Sequence, residues 1–257
     1  MTLPRRALGS TGIEVSAIGL GTVKLGRNAG LSVAPFAIPG KRAARALLDR
    51  ARELGVNLLD TAPAYGGSEA RLGELLDGTR DGWVLCTKAG ESFDGRRSRH
   101  DFTSEAIRGS VEASLRRLRT DYLDIVLIHS DGRDVDILRR SEAVETLDAL
   151  KRAGKIRASG FSHKTEEGGR LALSRCDVLM SALSFTDRRQ IDVVRDAGER
   201  GVGVLVKKAL DGGRAPPESL GYVAGRPGVS SVVVGTVDPA HLEADIVAAG
   251  FRKELPA

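Results

Sequence analysis

An acid, Asp60, and a phenol, Tyr65, lie close together in the part of the chain that is best suited to catalysis. An apolar run ends at Asp60, and Tyr65 follows in a turn that contains Pro63 and ends at Gly66. A strand would hold both side chains at its mouth, because a rigid element positions the turn residues that follow it. A phenol acts as a general acid near neutral pH only where its neighbours lower its pKa, so we expect a cation close to Tyr65.

Two later apolar runs end in side chains that could complete such a site. One run ends at Lys88 and the other at His129. The ammonium of Lys88 would favour the phenolate of Tyr65 and lower its pKa, while Asp60 would hold that ammonium in place. His129 would relay the proton or orient a substrate carbonyl. Taken singly, each residue also suits a structural role, and only the combination favours catalysis.

The elements that must position these residues alternate regularly along the chain. Short β-branched runs occupy residues 16–21, 56–60, 83–88, 122–129, 156–160, 177–185, 202–207 and 229–235. Helical stripes occupy residues 41–55, 107–118, 143–150, 191–194 and 238–246, with weaker helix candidates after residue 164 and in residues 216–226. This alternation predicts a single α/β domain over residues 1–257, a (β/α)8 TIM barrel with a short N-terminal β-hairpin.

A doubly wound open sheet is the alternative architecture. The segment Gly19-Leu20-Gly21-Thr22 has no third glycine where a GxGxxG motif needs one, and the sequence contains no Walker A motif. In a closed barrel, functional groups gather at the carboxyl ends of the strands. Because Asp60, Lys88 and His129 each end a predicted strand, we expect them to meet at one rim of the barrel.

Composition narrows the class of protein. With 257 residues, 41% of them hydrophobic, the chain can bury a sizeable core. No apolar window approaches ~20 residues and the first residues lack the apolar stretch of a signal peptide, so we expect a soluble, cytoplasmic protein without membrane contact.

The charges of the chain are nearly balanced, with 39 basic and 34 acidic residues. The basic run Arg96–His100 lies in a predicted loop without interleaved aromatics. We therefore expect no nucleic-acid partner. Cys86 and Cys176 sit in apolar runs, which predicts buried free thiols rather than a disulfide or a metal site.

The motifs that carry the chemistry resemble those of a known family. The stretch Asp60-Thr61-Ala62-x-x-Tyr65-Gly66, with Lys88 and His129 at the ends of the next two strands, resembles the aldo-keto reductases. The resemblance runs from Leu8-Gly9-x-Thr11-Gly12 through Gly19-Leu20-Gly21-Thr22 to the last helix. It implies a (β/α)8 barrel that binds NADP(H) across its carboxyl-terminal face and reduces aldehydes or ketones.

Carried over residue by residue, the resemblance assigns a role to each member of the site. Tyr65 would be the general acid, Lys88 and Asp60 would tune its pKa, and His129 would orient or relay. The positions implied to contact the cofactor are Gly21, Thr22, Ser162, His163, Lys207, Lys208, Ala209, Leu210, Gly235, Thr236, His241 and Asp245.

The cofactor half departs from the family pattern at several positions. Ser162 matches the serine that holds the nicotinamide carboxamide, whereas His163 replaces the usual asparagine. Lys207 stands where the family often places an aromatic ring, and either it or Lys208 could instead meet the pyrophosphate. The basic clamp for the 2′-phosphate is missing beside His241, and a single neutral histidine replaces arginine poorly. NADP(H) is expected on the resemblance, with NAD(H) as the alternative.

Two other functions fit parts of this pattern. A regulatory subunit of the same fold would bind the cofactor with little turnover, and an isomerase or lyase barrel would use a lysine without nicotinamide. The complete set of four residues, Asp60, Tyr65, Lys88 and His129, favours an enzyme. We expect it to act on a small carbonyl compound as a monomer or weak homo-oligomer.

The long segment 24–40 would border the substrate, with Phe36 as a candidate contact. We expect an open site with broad tolerance for small aldehydes.

Overall fold

Eight parallel strands close a barrel in the computed structural model, which describes residues 3–30 and 35–251. The strands in these ranges are β1 (Arg5–Ala7), β2 (Glu14–Ser16), β3 (Ile18–Gly21), β4 (Leu58–Asp60), β5 (Val84–Ala89), β6 (Glu91–Phe93), β7 (Ser98–His100), β8 (Leu123–His129), β9 (Ile156–Ser162), β10 (Val178–Ala182), β11 (Gly203–Lys207) and β12 (Ser231–Val234). Around the barrel the order is β10-β11-β12-β3-β4-β5-β8-β9. The predicted (β/α)8 barrel is confirmed, and all eight predicted strands are present.

Helices follow the barrel strands in the expected alternation. They are α1 (Lys41–Glu53), α2 (Ser68–Leu75), α3 (Ser104–Leu118), α4 (Asp134–Arg140), α5 (Ala143–Arg152), α6 (Glu166–Ala172), α7 (Ile191–Glu199), α8 (Ser219–Ala224) and α9 (Pro239–Ala248). The five predicted stripes and both weaker candidates are helical. The stripes predicted the longer helices because their apolar faces cover the barrel, as in α1, where Leu47 and Leu48 are buried.

Two short helices, α2 and α4, had no apolar stripe to predict them. In α2 the buried face includes Glu69 and Gly73. A Cβ at Gly73 would lie 2.1 Å from the carbonyl oxygen of Arg117, so α2 approaches α3 backbone to backbone. Glu69 accepts hydrogen bonds from Thr87 at 2.6 Å and from Arg117 at 2.7 Å. Close backbone approach and an ion pair between buried Glu69 and partly exposed Arg117 replace apolar periodicity here.

The barrel interior is closed at its amino-terminal end by β1 and β2. These strands pair in an antiparallel hairpin, as predicted. Leu8, Ile13 and Val15 from this segment pack with interior side chains such as Leu127 and Met180. The apolar plug leaves the opposite, carboxyl-terminal end of the strands for polar groups.

A second hairpin, β6–β7, lies on the carboxyl-terminal side. Its strand β6 packs against the one-turn 3-10 helix Pro63–Tyr65. The guanidinium carbon of Arg27 stacks 3.7 Å from the centre of the Phe93 ring on β6. The loop predicted for residues 96–100 is wrong in part, because Ser98–His100 forms the return strand β7.

Other predictions have mixed outcomes. Cys86 and Cys176 are buried and free. Within residues 3–30 and 35–251, no helix has the length and apolar character needed to cross a membrane. In the segment 24–40, residues 31–34 lie outside the described part of the chain. Phe36 lies within it, and the Lys24 ammonium is 5.3 Å from the centre of its ring.

Candidate active site

Asp60, Lys88 and Tyr65 meet at the carboxyl-terminal rim, as predicted. The ammonium of Lys88 lies 2.6 Å from Asp60 Oδ1 and 3.1 Å from the Tyr65 hydroxyl oxygen. It also donates to the carbonyl oxygen of Thr61 at 2.9 Å. Lys88 is 1% exposed, so its three contacts replace the water that an ammonium requires. Strand pairing explains the meeting, because β4 and β5 are parallel neighbours.

Thr22 supports this site from the neighbouring strand rather than presenting its hydroxyl to a ligand. Its Oγ1 donates to the Asp60 carbonyl oxygen at 2.9 Å and lies 2.8 Å from Ser68 Oγ. The side chain is fully buried. These bonds hold the end of β4, and through it the carboxylate of Asp60, in one position. The Thr22 hydroxyl is therefore not free to make the predicted contact with a cofactor.

The electrostatics differ from the sequence-based expectation for the phenol. Burial is the largest single influence on the pKa of Lys88 and lowers it, but Asp60, Tyr65 and Cys86 together outweigh burial, so the net pKa is raised. Burial raises the pKa of Tyr65 to about 12, although the ammonium of Lys88 opposes that shift. The expected net lowering of the Tyr65 pKa is therefore wrong, because desolvation is the larger effect. A phenol with this pKa stays protonated near neutral pH, which is the form a proton donor needs.

His129 reaches the same rim from β8. Its ring lies edge-on to the Tyr65 ring, with 6.4 Å between ring centroids. Burial lowers the pKa of His129 to about 4, and the charges of Lys88 and Lys207 act in the same direction. The imidazole is therefore neutral near pH 7.

Glu91 is a member of the site that sequence reasoning missed. Its Oε2 lies 2.7 Å from Nδ1 of His129 and 3.9 Å from Nε2 of His100. Burial raises the pKa of Glu91, but His129, Ser98 and His100 together outweigh burial and lower it to about 2. The only signal in the sequence was an acid three residues after Lys88, and β6 was not predicted.

The nicotinamide side of the predicted site contains an inward-facing cation. Lys207 Nζ donates to Ser162 Oγ at 2.7 Å and to the His163 carbonyl oxygen at 3.4 Å. Burial lowers the pKa of Lys207 to about 7, with further lowering by Lys88 and Lys208. Lys208 is exposed and follows the strand with a φ of 61°. The structure thus distinguishes the two lysines, since Lys207 faces the site.

His163 is buried with both ring nitrogens in use. Nε2 lies 2.6 Å from Ser181 Oγ, and Nδ1 lies 3.0 Å from the Thr165 carbonyl oxygen. Burial lowers the pKa of His163 to about 4. The side chain predicted to contact the cofactor is therefore occupied by structural hydrogen bonds, and its backbone is what borders the site.

The turn after β11 is suited to an anion. Lys208 adopts the left-handed backbone conformation. The following N–H groups of Ala209 and Leu210 make no hydrogen bond to the described residues. Successive unpaired N–H groups in such a turn form a concave donor site of the kind that binds phosphate oxygens. These residues fit the pyrophosphate of a dinucleotide.

The loop after β12 is poorly suited to an extra phosphate. Asp238 caps α9, and its Oδ1 accepts a hydrogen bond from the Ala240 N–H at 2.8 Å. Pro239 has no N–H to offer. His241 is exposed, with Nε2 3.8 Å from Asp238 Oδ2. The helix terminus expected to grip a phosphate already carries a carboxylate.

The remaining predicted positions border this loop. Gly235 is exposed, and a side chain there would meet no atom within 4 Å, so a ligand can approach its backbone. Thr236 accepts a hydrogen bond from the Asp238 N–H at 3.0 Å. Asp245 is half-buried in α9, and burial raises its pKa. Gly21, at the end of β3, is buried. A Cβ at this position would lie 3.1 Å from Cγ1 of Val233.

Comparison with known proteins agrees with this geometry. The model of the aldo/keto reductase family matches residues 17–219. The chain belongs to the aldo/keto reductase family. A Pseudomonas aeruginosa structure described as an aldo-keto reductase superposes with a TM-score of 0.90 at 48% identity, covering 96% of each chain.

Curated members of the family are similar over most of the chain. L-galactose dehydrogenase of Arabidopsis thaliana is 33% identical over 83% of this chain and 68% of its own length. The NADH-specific methylglyoxal reductase of Escherichia coli is 31% identical over 80% of this chain and 67% of its own length. The predicted family and its NAD(P)H-dependent oxidoreductase class are confirmed. Aldo/keto reductases use nicotinamide cofactors to reduce carbonyl compounds.

Proposed function

We propose that this aldo/keto reductase reduces small aldehydes or ketones to alcohols, with Tyr65 as the proton donor. The observation that carries the proposal is the 3.1 Å contact between Lys88 Nζ and the Tyr65 hydroxyl, inside a buried pair with Asp60. A structural ion pair alone would not need a phenol beside the ammonium. This arrangement is suited to donating a proton and to stabilising the phenolate that remains.

The roles of the residues follow from their contacts. A bound nicotinamide supplies a hydride to the carbonyl carbon. Tyr65 donates its proton to the carbonyl oxygen, and the Lys88 ammonium stabilises the resulting phenolate at hydrogen-bond distance. Asp60 and the Thr61 carbonyl keep the ammonium oriented throughout. Neutral His129 stands beside Tyr65, where it orients the substrate or passes the proton.

The cofactor proposal rests on three groups of contacts. Ser162 and Lys207 border the place expected for the nicotinamide, and the unpaired N–H groups of Ala209 and Leu210 suit the pyrophosphate. Asp238 would repel a 2′-phosphate and can accept from a ribose hydroxyl instead. We therefore rank NAD(H) above NADP(H), the reverse of the order that the sequence resemblance implied. The NADH-specific relative in Escherichia coli supports this ranking.

A cofactor-binding regulatory subunit with little turnover is the second candidate. The buried Asp60–Lys88 pair beside a phenol favours turnover over this candidate. The test is a panel of small aldehydes and ketones with NADH and NADPH in parallel, monitored by cofactor absorbance. Cofactor oxidation by several carbonyl compounds is expected. Tight cofactor binding without oxidation across the panel would support the regulatory subunit.

A further inference from the structure

Glu91 belongs to a hairpin that joins the two halves of the proton-transfer site. Strand β6 follows β5, whose Lys88 holds Tyr65, and packs against the 3-10 turn that carries Tyr65. The same strand places the Glu91 carboxylate 2.7 Å from Nδ1 of His129. Across the hairpin, Glu91 pairs with His100 in register. One acid thus contacts the histidine of the site.

The two ring nitrogens of His129 have different surroundings. Nδ1 is buried, and the Glu91 carboxylate at 2.7 Å is its polar neighbour. The distance is that of a hydrogen bond, although the angle departs from the ideal, and no other described residue bonds to Nδ1. The ring stands edge-on to Tyr65, with 6.4 Å between ring centroids, and its Nε2 makes no hydrogen bond to any described residue. Burial keeps the imidazole neutral near pH 7 and Glu91 stays ionised. A neutral imidazole carries one proton, and a carboxylate accepts hydrogen bonds without donating them.

We propose that Glu91 fixes His129 as the Nδ1–H tautomer, so that Nε2 presents a lone pair and the site selects carbonyl compounds that carry a hydroxyl beside the carbonyl. The alternative tautomer would put two lone pairs, one of them on an anion, 2.7 Å apart at a buried position. Glu91 is therefore a positioning residue that acts through His129.

The consequence for the substrate follows from hydrogen-bond polarity. A carbonyl oxygen is an acceptor and cannot bond to a lone pair on Nε2, so the Tyr65 hydroxyl is left to contact it. A hydroxyl on the next carbon can donate to Nε2 while the carbonyl accepts from Tyr65. This step rests on the proposed function, since it concerns the substrate of the reduction. The tautomer itself does not depend on turnover.

The first test reads the tautomer directly by nitrogen NMR at pH 7. The chain has four histidines, so selective 15N labelling gives a small set of signals, and the His129 signals are assigned by their loss in His129→Phe. We expect Nδ1 to carry the proton in the wild type and in Glu91→Gln, which keeps an acceptor oxygen. Glu91→Leu should give a mixture or the Nε2–H form. A wild-type imidazolium, a wild-type Nε2–H form, or an unchanged tautomer in Glu91→Leu would overturn the proposal.

The second test compares 2-hydroxypropanal with propanal, with concentrations corrected for hydration. In the wild type we expect kcat/KM to favour the hydroxy compound by roughly fivefold, the value of one ordinary hydrogen bond. Glu91→Leu should reduce that ratio towards one. An equal ratio in wild type and variant would overturn the substrate step. If neither aldehyde is reduced, the proposed function fails, while the NMR result still decides the tautomer.

Ser92→Ala is the matched control for hairpin disruption. Ser92 is exposed, next to Glu91 on β6, and pairs in register with Arg99. It should leave the tautomer, the substrate ratio and the melting temperature unchanged. If Ser92→Ala shifts the His129 tautomer as Glu91→Leu does, the effect belongs to the hairpin and the assignment to Glu91 is wrong.

Discussion

Lys207 Nζ donates a hydrogen bond to Ser162 Oγ at 2.7 Å, joining β11 to β9 across the mouth of the barrel. Ser162 is the residue that the family resemblance assigns to the nicotinamide carboxamide. The lysine stands where an aromatic ring would otherwise stack. A cation in this place makes the charge of the cofactor side depend on pH, because burial has brought the pKa of Lys207 to about 7.

The free energy of unfolding should depend on the protonation of Lys207. The Lys207 pKa falls from 10.5 in the unfolded chain to about 7 in the fold, so between these values the unfolded chain binds the extra proton. The free energy of unfolding should therefore rise with pH between about 7 and 10 in the wild type relative to Lys207→Met. Urea unfolding at pH 6.5 and 9.5 measures the difference. The exposed neighbour variant Lys208→Gln should follow the wild type, and a pH-independent difference for Lys207→Met would contradict the prediction.

Tyr65→Phe should separate proton donation from binding. Removing the hydroxyl leaves the ring and the Asp60–Lys88 pair in place but removes the acid, so kcat should fall by roughly 10²–10⁴-fold. The dissociation constant for the cofactor, measured by fluorescence titration, should change little. Tyr122→Phe is the control, because Tyr122 lies just before β8 at the opposite end of the barrel. Turnover near wild type in Tyr65→Phe would remove Tyr65 from the mechanism.

Lys88→Met should destabilise the fold as well as stop turnover. Without the ammonium, Asp60 becomes a buried carboxylate with no cation beside it, and breaking such a pair costs about 3–5 kcal/mol. The double variant Lys88→Met/Asp60→Asn removes both charges and should recover much of the free energy of unfolding while remaining inactive. Urea unfolding and cofactor oxidation measure the two effects. Equal destabilisation of the single and double variants would show that the pair contributes through packing alone.

The proton-transfer site could be predicted from sequence because each residue ends an apolar run. Strand ends of a parallel barrel converge at one rim, so Asp60, Lys88 and His129 are brought together by topology alone. The sign of the Tyr65 pKa shift could not be predicted in this way. It depends on how completely the hydroxyl is desolvated, and burial outweighs the charge of Lys88.

The cofactor side and Glu91 were harder to predict for a different reason. His163 and Thr22 have side chains that suit a ligand, but their hydrogen bonds to Ser181 and to the Asp60 carbonyl are long-range contacts that spacing does not reveal. Glu91 lies on a three-residue strand, too short for any periodicity. Side chains held by tertiary contacts are thus the ones that sequence patterns misassign.

Asp238 should decide between the two nicotinamide cofactors. Its carboxylate caps α9, and in the proposed cofactor placement it would repel a 2′-phosphate because like charges repel. We expect the wild type to bind NADH more tightly than NADPH. Asp238→Ser keeps a capping oxygen but removes the charge, and should tighten NADPH binding by about tenfold while weakening NADH binding, because the ribose hydroxyl loses a charged acceptor. Fluorescence titrations of both cofactors at low and high salt measure this, since screening should weaken the repulsion.

Two further variants sharpen that test. His241→Arg supplies a guanidinium at the exposed position beside Asp238 and should add to the gain in NADPH affinity. Asp121→Ser removes an exposed acid near the amino end of β8 and should alter neither affinity, which controls for a change in net charge. Tighter NADPH than NADH binding by the wild type would reverse the proposed ranking. Equal effects of Asp238→Ser on both cofactors would place its carboxylate away from the 2′ position.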